Sequence, residues 1–142
     1  MPHNVTVDVY GPWFDDVDSD IFKESSNIKY RGVLAPKNVM DTMLEYDAMI
    51  LPTIASTEGY PGSILESYCA GLPVIASKIG AIPEIVDESV GVLVEPGNSE
   101  QLYMAMVQLV EDNELYQSLC SNTHSKALSF SLDTWGDEFV SY

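Results

Sequence analysis

The chain has 142 residues, 46% hydrophobic and 20% charged, the balance of an ordinary folded domain with a core of its own, which excludes disorder. Six basic residues against 22 acidic ones leave a net charge of −16, which excludes nucleic acid and anionic membrane surfaces as partners by simple repulsion. No apolar run approaches the roughly 20 residues of a membrane-spanning helix, and the opening MPHNVTVDVY lacks the basic and apolar regions of a signal peptide.

In chain order, the first predicted strand is VTVDVYG (5–11), followed by an acidic stretch, FDDVDSD (14–20), and a second strand, NIKYRGV (27–33). KNVMDTMLEY (37–46) then reads as a helix with Val39, Met40, Met43 and Leu44 on one face. The third strand is DAMILP (47–52), and GSILESYCAG (62–71) is a helix stopped by Gly71. A fourth strand, PVIAS (73–77), a short helix, IPEIVDE (82–88), and a fifth strand, GVLVEP (91–96), follow. Asn98 or Ser99 can cap the next helix, whose Leu102, Ala105, Met106, Leu109 and Val110 repeat at helical spacing. Another helix begins near Asn113, and SLDTWGDEFVSY closes the chain with Trp135, Phe139 and Tyr142 at helical intervals. Strands alternating with helices predict one α/β domain, 1–142, built on a largely parallel sheet. Cys69 and Cys120 read as the reduced thiols of a cytoplasmic protein.

Chemistry concentrates in TEGYPGSILES (57–67), between the third strand and the next helix. In open parallel sheets ligands bind at that carboxyl edge. Pro61 and Gly62 make a turn after which the amides of Gly62, Ser63 and Ile64 form a helix N-terminus, a setting that favours an anion such as phosphate. Glu66 lies about one turn into that helix, where a carboxylate would repel a phosphate and suits neutral hydroxyls such as a ribose diol instead. Glu58, at the loop tip, can reach another part of the same ligand. An anion flanked by hydroxyls describes a sugar nucleotide.

EGYPGSILE, followed by SYCAGLPVIAS, GAIPEIVDE and GVLVEPGN, resembles the C-terminal, donor-binding domain of retaining GT-B glycosyltransferases of the group 1, family 4 type. Upstream, VTVDVYGPW and NIKYRGVLAPKNVMDTMLEYDAMILPT match that domain in order and spacing, so the resemblance covers nearly the whole chain. It implies a Rossmann-like doubly wound sheet and transfer of a hexosyl unit from a UDP- or GDP-sugar with retained configuration, as in glycan and polysaccharide assembly. It implies that Glu58 sits beside the donor sugar and reaction centre, that Gly59, Tyr60, Pro61, Gly62, Ser63 and Ile64 touch sugar and diphosphate, and that Glu66 holds the ribose. Gly32, Val33 and Leu34 match the segment lining the base, and Gly11 matches a glycine near the phosphates. No metal or other cofactor is implied.

The family opens this domain with one more strand–helix unit, carrying an arginine and a lysine for the diphosphate, and residues 1–4 leave no room for it. The acceptor-binding half is missing too, so the chain is expected to be an inactive fragment of a two-domain enzyme. Its sheet should be interrupted between 5–11 and 47–52, or those two strands should pair directly. Lys78, just past the fourth strand, is the one basic residue at the productive edge; it could meet phosphate, and the plainer account is a solvent-facing lysine.

One alternative stays open beside this reading, and the others fare less well. A non-catalytic remnant that binds nucleotide sugars would have this same sequence. A receiver-type signalling domain needs an aspartate at the end of the third strand, where this chain has ILPTIAS. A calcium loop starting at Asp16 would need glycine at Ile21 and glutamate at Asn27, so the acidic stretch reads as a solvated loop. Metal-ligand spacing is missing around His3 and His124. Glu84 reads as a first-turn charge of a short helix or a family site position, and Tyr60 as a shield for the donor sugar or a cover for the turn.

Overall fold

The computed structural model describes residues 4–13 and 19–130 and divides the chain into two compact units, 1–39 and 40–142. In the first, β1 (Val7–Tyr10) and β2 (Ile28–Gly32) form a parallel pair, with the register shifting between Val9 and Tyr10. Asn27 Nδ2 donates to the Val5 carbonyl at 2.8 Å and Arg31 pairs with Asp8 at 3.1 Å, fixing the two strands at both ends. Trp13, Phe22 and Tyr30 form an aromatic cluster, with centroids 5.0 Å apart for Trp13 and Tyr30.

The second unit holds a three-stranded parallel sheet in the order β3 (Met49–Leu51), β4 (Val74–Ser77), β5 (Gly91–Val94). Every residue of β4 is buried, as an apolar central strand of a covered parallel sheet should be. One layer packs Ile64 and Tyr68 of α2 (Gly62–Cys69) and Ile82 and Ile85 of α3 (Ile82–Ile85) against Val74, Ala76 and Val90. A separate cluster packs Ala105 and Leu109 of α4 (Ser99–Glu111) and Leu119 of α5 (Asn113–Leu128) against Ile75 and Val94. Each partially buried edge strand, β3 above all, is shorter than the run that predicts it.

Local signals set the helix ends. The Asn98 side chain accepts from the Gln101 amide at 3.0 Å, and Asp112 does the same for Leu115 at 2.9 Å. Gly71, at φ +80°, ends α2: its amide bonds the Tyr68 carbonyl while the Leu72 amide bonds that of Ser67. This paired arrangement needs the left-handed backbone that glycine adopts without strain.

Three expectations change. The 37–46 helix is a 3₁₀ turn, Pro36–Asn38, and a single α turn, α1 (Val39–Met43), since the Glu45 and Tyr46 amides tighten to carbonyls three residues back. Met40 and Leu44 of its apolar face are exposed. The 82–88 helix stops at Ile85 because Val86 turns extended, and Val110 faces outward where burial was expected. The described strands make two sheets, β1–β2 in the first unit and β3–β4–β5 in the second. FDDVDSD from Phe14 to Asp18, His3 and the terminal helix with Trp135 and Phe139 lie outside the described residues.

Candidate functional site

The parallel order of β3 and β4 determines where the acidic loop must lie. The chain leaves β3 at Leu51, crosses 52–61, runs back through α2 and enters β4 in the same direction. The N-terminus of α2 therefore sits at the carboxyl edge of the sheet, and so does the segment after β4, residues 78–81. Glu58, Gly59, Tyr60 and Pro61 are brought to this edge together with Gly62, Ser63 and Ile64, and Glu66 lies in the second turn of α2.

The helix start is open. Pro61 is its N-cap, in extended conformation, and provides no side-chain cap. The Ile64 amide is taken by the Pro61 carbonyl at 3.0 Å, so it is not free for a ligand as the sequence suggested. Among the described residues the amides of Gly62 and Ser63 have no protein acceptor, which leaves two donors and the positive end of the helix dipole at this point. Ile64 instead contributes a completely buried side chain that roots the helix in the core.

Glu58 is half-buried and Glu66 exposed. Among the described residues the ion pairs are Lys23–Asp20, Arg31–Asp8 and Lys126–Asp87, and neither Glu58 nor Glu66 has a hydrogen-bonded or charged side-chain partner. Two carboxylates without internal partners beside two unused amides can accept hydroxyl donors while the amides bind an anion. Lys78 is exposed at the end of β4, with its backbone amide held by the Val94 carbonyl at 2.8 Å. Among the described residues no group of three or more His, Cys, Asp or Glu side chains is placed to hold a metal ion.

Sequence reasoning missed what holds the loop. The Ala81 amide donates to the Glu58 carbonyl at 3.1 Å, and Gly80, at φ +56°, lies so close that a Cβ there would fall 2.2 Å from the same oxygen. The Tyr60 hydroxyl donates to the Glu84 carboxylate, which raises the phenol pKa through that bond, then through desolvation and the carboxylate charge. The Tyr60 hydroxyl is therefore committed to Glu84. A glycine two residues before Ile82 was visible in the sequence, but its partner across the sheet edge was not.

The other candidate residues belong to the first unit. Gly11 follows β1 and donates its amide to the Gly32 carbonyl at 3.0 Å, so those two glycines are brought together at the carboxyl end of the β1–β2 pair. Gly11 and Gly32 have φ of +144° and +86°. Val33 is 70% exposed, an unusual position for a valine, and Leu34 is half-buried.

Residues 2–112 match the sequence profile of the family described as Glycosyl transferases group 1. The chain belongs to that family. Its α/β fold of parallel strands and helices is the fold of GT-B glycosyltransferases. HepE of Anabaena, solved in complex with UDP-glucose, superposes with a TM-score of 0.81 at 25% identity, over 99% of this chain and 41% of HepE. The C-terminal domain of a group 1 family protein, LpcC from Francisella tularensis, is 28% identical with a TM-score of 0.61, over 75% of this chain and 54% of that one. Among curated relatives, a GDP-mannose-dependent phosphatidylinositol monomannoside mannosyltransferase of Corynebacterium glutamicum is 29% identical over 93 residues, 62% of this chain and 24% of that enzyme. This group 1 glycosyl transferase chain thus spans well under half the length of HepE and of the mannosyltransferase. No helix among its described residues is long and apolar enough to cross a membrane.

Proposed function

We propose that the chain is the donor-binding half of a retaining glycosyltransferase, taking a nucleoside diphosphate sugar at the carboxyl edge of β3 and β4. The observation that carries this reading is the open N-terminus of α2, with two unused amides, between two carboxylates that have no internal partners among the described residues. The amides of Gly62 and Ser63 would receive the diphosphate, and as donors aimed at a leaving group they would stabilise charge as it develops in the transition state. Glu66 would accept from the ribose hydroxyls. Glu58 would orient or polarise the sugar at the reaction centre. The complex of HepE with UDP-glucose supports a sugar nucleotide as ligand, and the GDP-mannose dependence of the corynebacterial relative keeps both bases in view. An acceptor-binding half would complete the enzyme, and this chain by itself would bind donor without turning it over, in the cytoplasm.

Calorimetric titration with UDP, UDP-glucose, GDP and GDP-mannose tests this. Glu66→Gln keeps the shape but loses the charge that strengthens its hydrogen bonds, so nucleoside diphosphate affinity should fall about ten- to a hundredfold. Glu58→Gln should leave the free nucleotide unaffected and remove only the added affinity of the sugar. Exchanged phenotypes would exchange the two roles, and two silent variants would remove the reading.

A further inference from the structure

We propose that the segment Ile79 to Glu84 is the positioning element of the Glu58 loop: Gly80 and Ala81 hold the Glu58 backbone, and Glu84 holds Tyr60. What the loop is positioned for rests on the donor reading above; that it is held does not.

The two attachments lie on either side of Gly59 and close a ring. The Ala81 amide donates to the Glu58 carbonyl at 3.1 Å, the Glu84 amide donates to the Ala81 carbonyl at 3.0 Å, and the Tyr60 hydroxyl returns to the Glu84 carboxylate. The loop needs such support. Its other ties are short-range, Glu58 amide to Ala55 carbonyl at 3.2 Å and Ala55 amide to Thr53 hydroxyl at 3.1 Å. Gly59 has no neighbour within 4 Å of where a Cβ would stand, so packing does not immobilise the tip.

The support itself is rigid. Ile82 and Ile85, on either side of Glu84 in α3, are completely buried, and the buried Tyr68 hydroxyl donates to the Ile85 carbonyl at 2.8 Å. Glu84 points out from a turn locked to the core from behind, and a side chain placed by such packing can fix another. Glu84 is therefore a positioning residue: it acts on the Glu58 loop through Tyr60. Its carboxylate also commits the Tyr60 hydroxyl to α3, so the ring of Tyr60, and not its hydroxyl, is what the loop presents to a sugar.

The test uses the 142-residue chain with E84A, E84Q and Y60F, read first by residue-resolved amide hydrogen exchange. E84A and Y60F should raise exchange at the Glu58 and Ala81 amides, the two hydrogen-bonded amides that report on the loop, by roughly two- to tenfold, the effect of losing one net hydrogen bond. Ile64 to Cys69 should stay protected, and E84Q, which retains an acceptor oxygen, should stay close to wild type. Unchanged exchange in E84A and Y60F overturns the inference. In the second measurement E84A should weaken UDP-glucose, or GDP-mannose, relative to the matching free nucleotide. An equal loss for sugar nucleotide and free nucleotide would mean that Glu84 serves only the fold, and would also overturn it. A wild-type chain that binds none of the four compounds removes the donor reading, while the exchange data still decide whether the ring holds the loop.

Discussion

Gly80→Ala examines the closest approach in the site, and Gly97→Ala supplies its control. Both glycines occupy left-handed backbone, at φ +56° and +74°, so an alanine at either position meets the same intrinsic strain, about 1–2 kcal/mol. They differ in surroundings. A Cβ on Gly97 finds nothing within 4 Å, whereas one on Gly80 falls 2.2 Å from the Glu58 carbonyl oxygen and 3.1 Å from its carbon. Ordinary van der Waals contact begins at 3.4 Å, and the neighbour here is backbone, which cannot swing away like a flexible side chain. The loop must retreat far enough to break the 3.1 Å bond from Ala81, adding about 1 kcal/mol. Gly80→Ala should therefore cost about 2–3 kcal/mol and Gly97→Ala about 1–2 kcal/mol, read as shifts in urea midpoint at constant slope. Exchange at the Ala81 amide should rise in the first variant only. Equal costs for the two variants, or an Ala81 amide as protected in Gly80→Ala as in wild type, would refute the reasoning.

Two further outcomes concern the frame behind the site. The Asp87 carboxyl is held down to about 2 by hydrogen bonds from Lys126 and from Ser89, against a smaller opposing effect of burial. A depressed carboxyl stabilises the fold above its unfolded value near 3.8 and loses that contribution as pH falls through about 2. Because the Asp87 side chain is 48% exposed, solvent screening reduces the gain to about 1 kcal/mol or less. Asp87→Asn should be less stable than wild type by that amount at pH 7, and the difference should vanish near pH 2 in a pH series of denaturation curves; a constant difference would show that the ion pair is not its source. Tyr68→Phe leaves the Ile85 carbonyl without its 2.8 Å donor in a fully buried position and should cost about 1–3 kcal/mol in the same assay.

What could be read in the sequence is what is decided within a few residues. The capping of α4 by Asn98, the stop of α2 at Gly71 and the buried run of β4 were all legible because each depends on local hydrogen bonds or on an apolar pattern. Placement of Glu58 before, and Glu66 within, one helix at a sheet edge followed from the alternation of strands and helices alone. Details that depended on exact backbone course did not follow: Ile64 was counted among the free amides, yet the first turn tightens and the Pro61 carbonyl takes it.

The sequence by itself thus determined the parallel α/β class and the family, and singled out the stretch we propose as the donor site. Only the tertiary structure decided which elements meet. Leu44 reads as part of an apolar helix face, yet it is 62% exposed, because burial depends on what lies across from a side chain and not on the side chain. Tyr60 and Glu84, 24 positions apart, each suit a surface turn equally well alone, and nothing in their local sequence selects the partner. Gly80 looks like any loop glycine until parallel pairing of β3 with β4 sets two neighbouring loops against each other at one edge. Hydrogen bonds between segments carry no periodicity, so their partners are chosen only when the sheet brings them within reach.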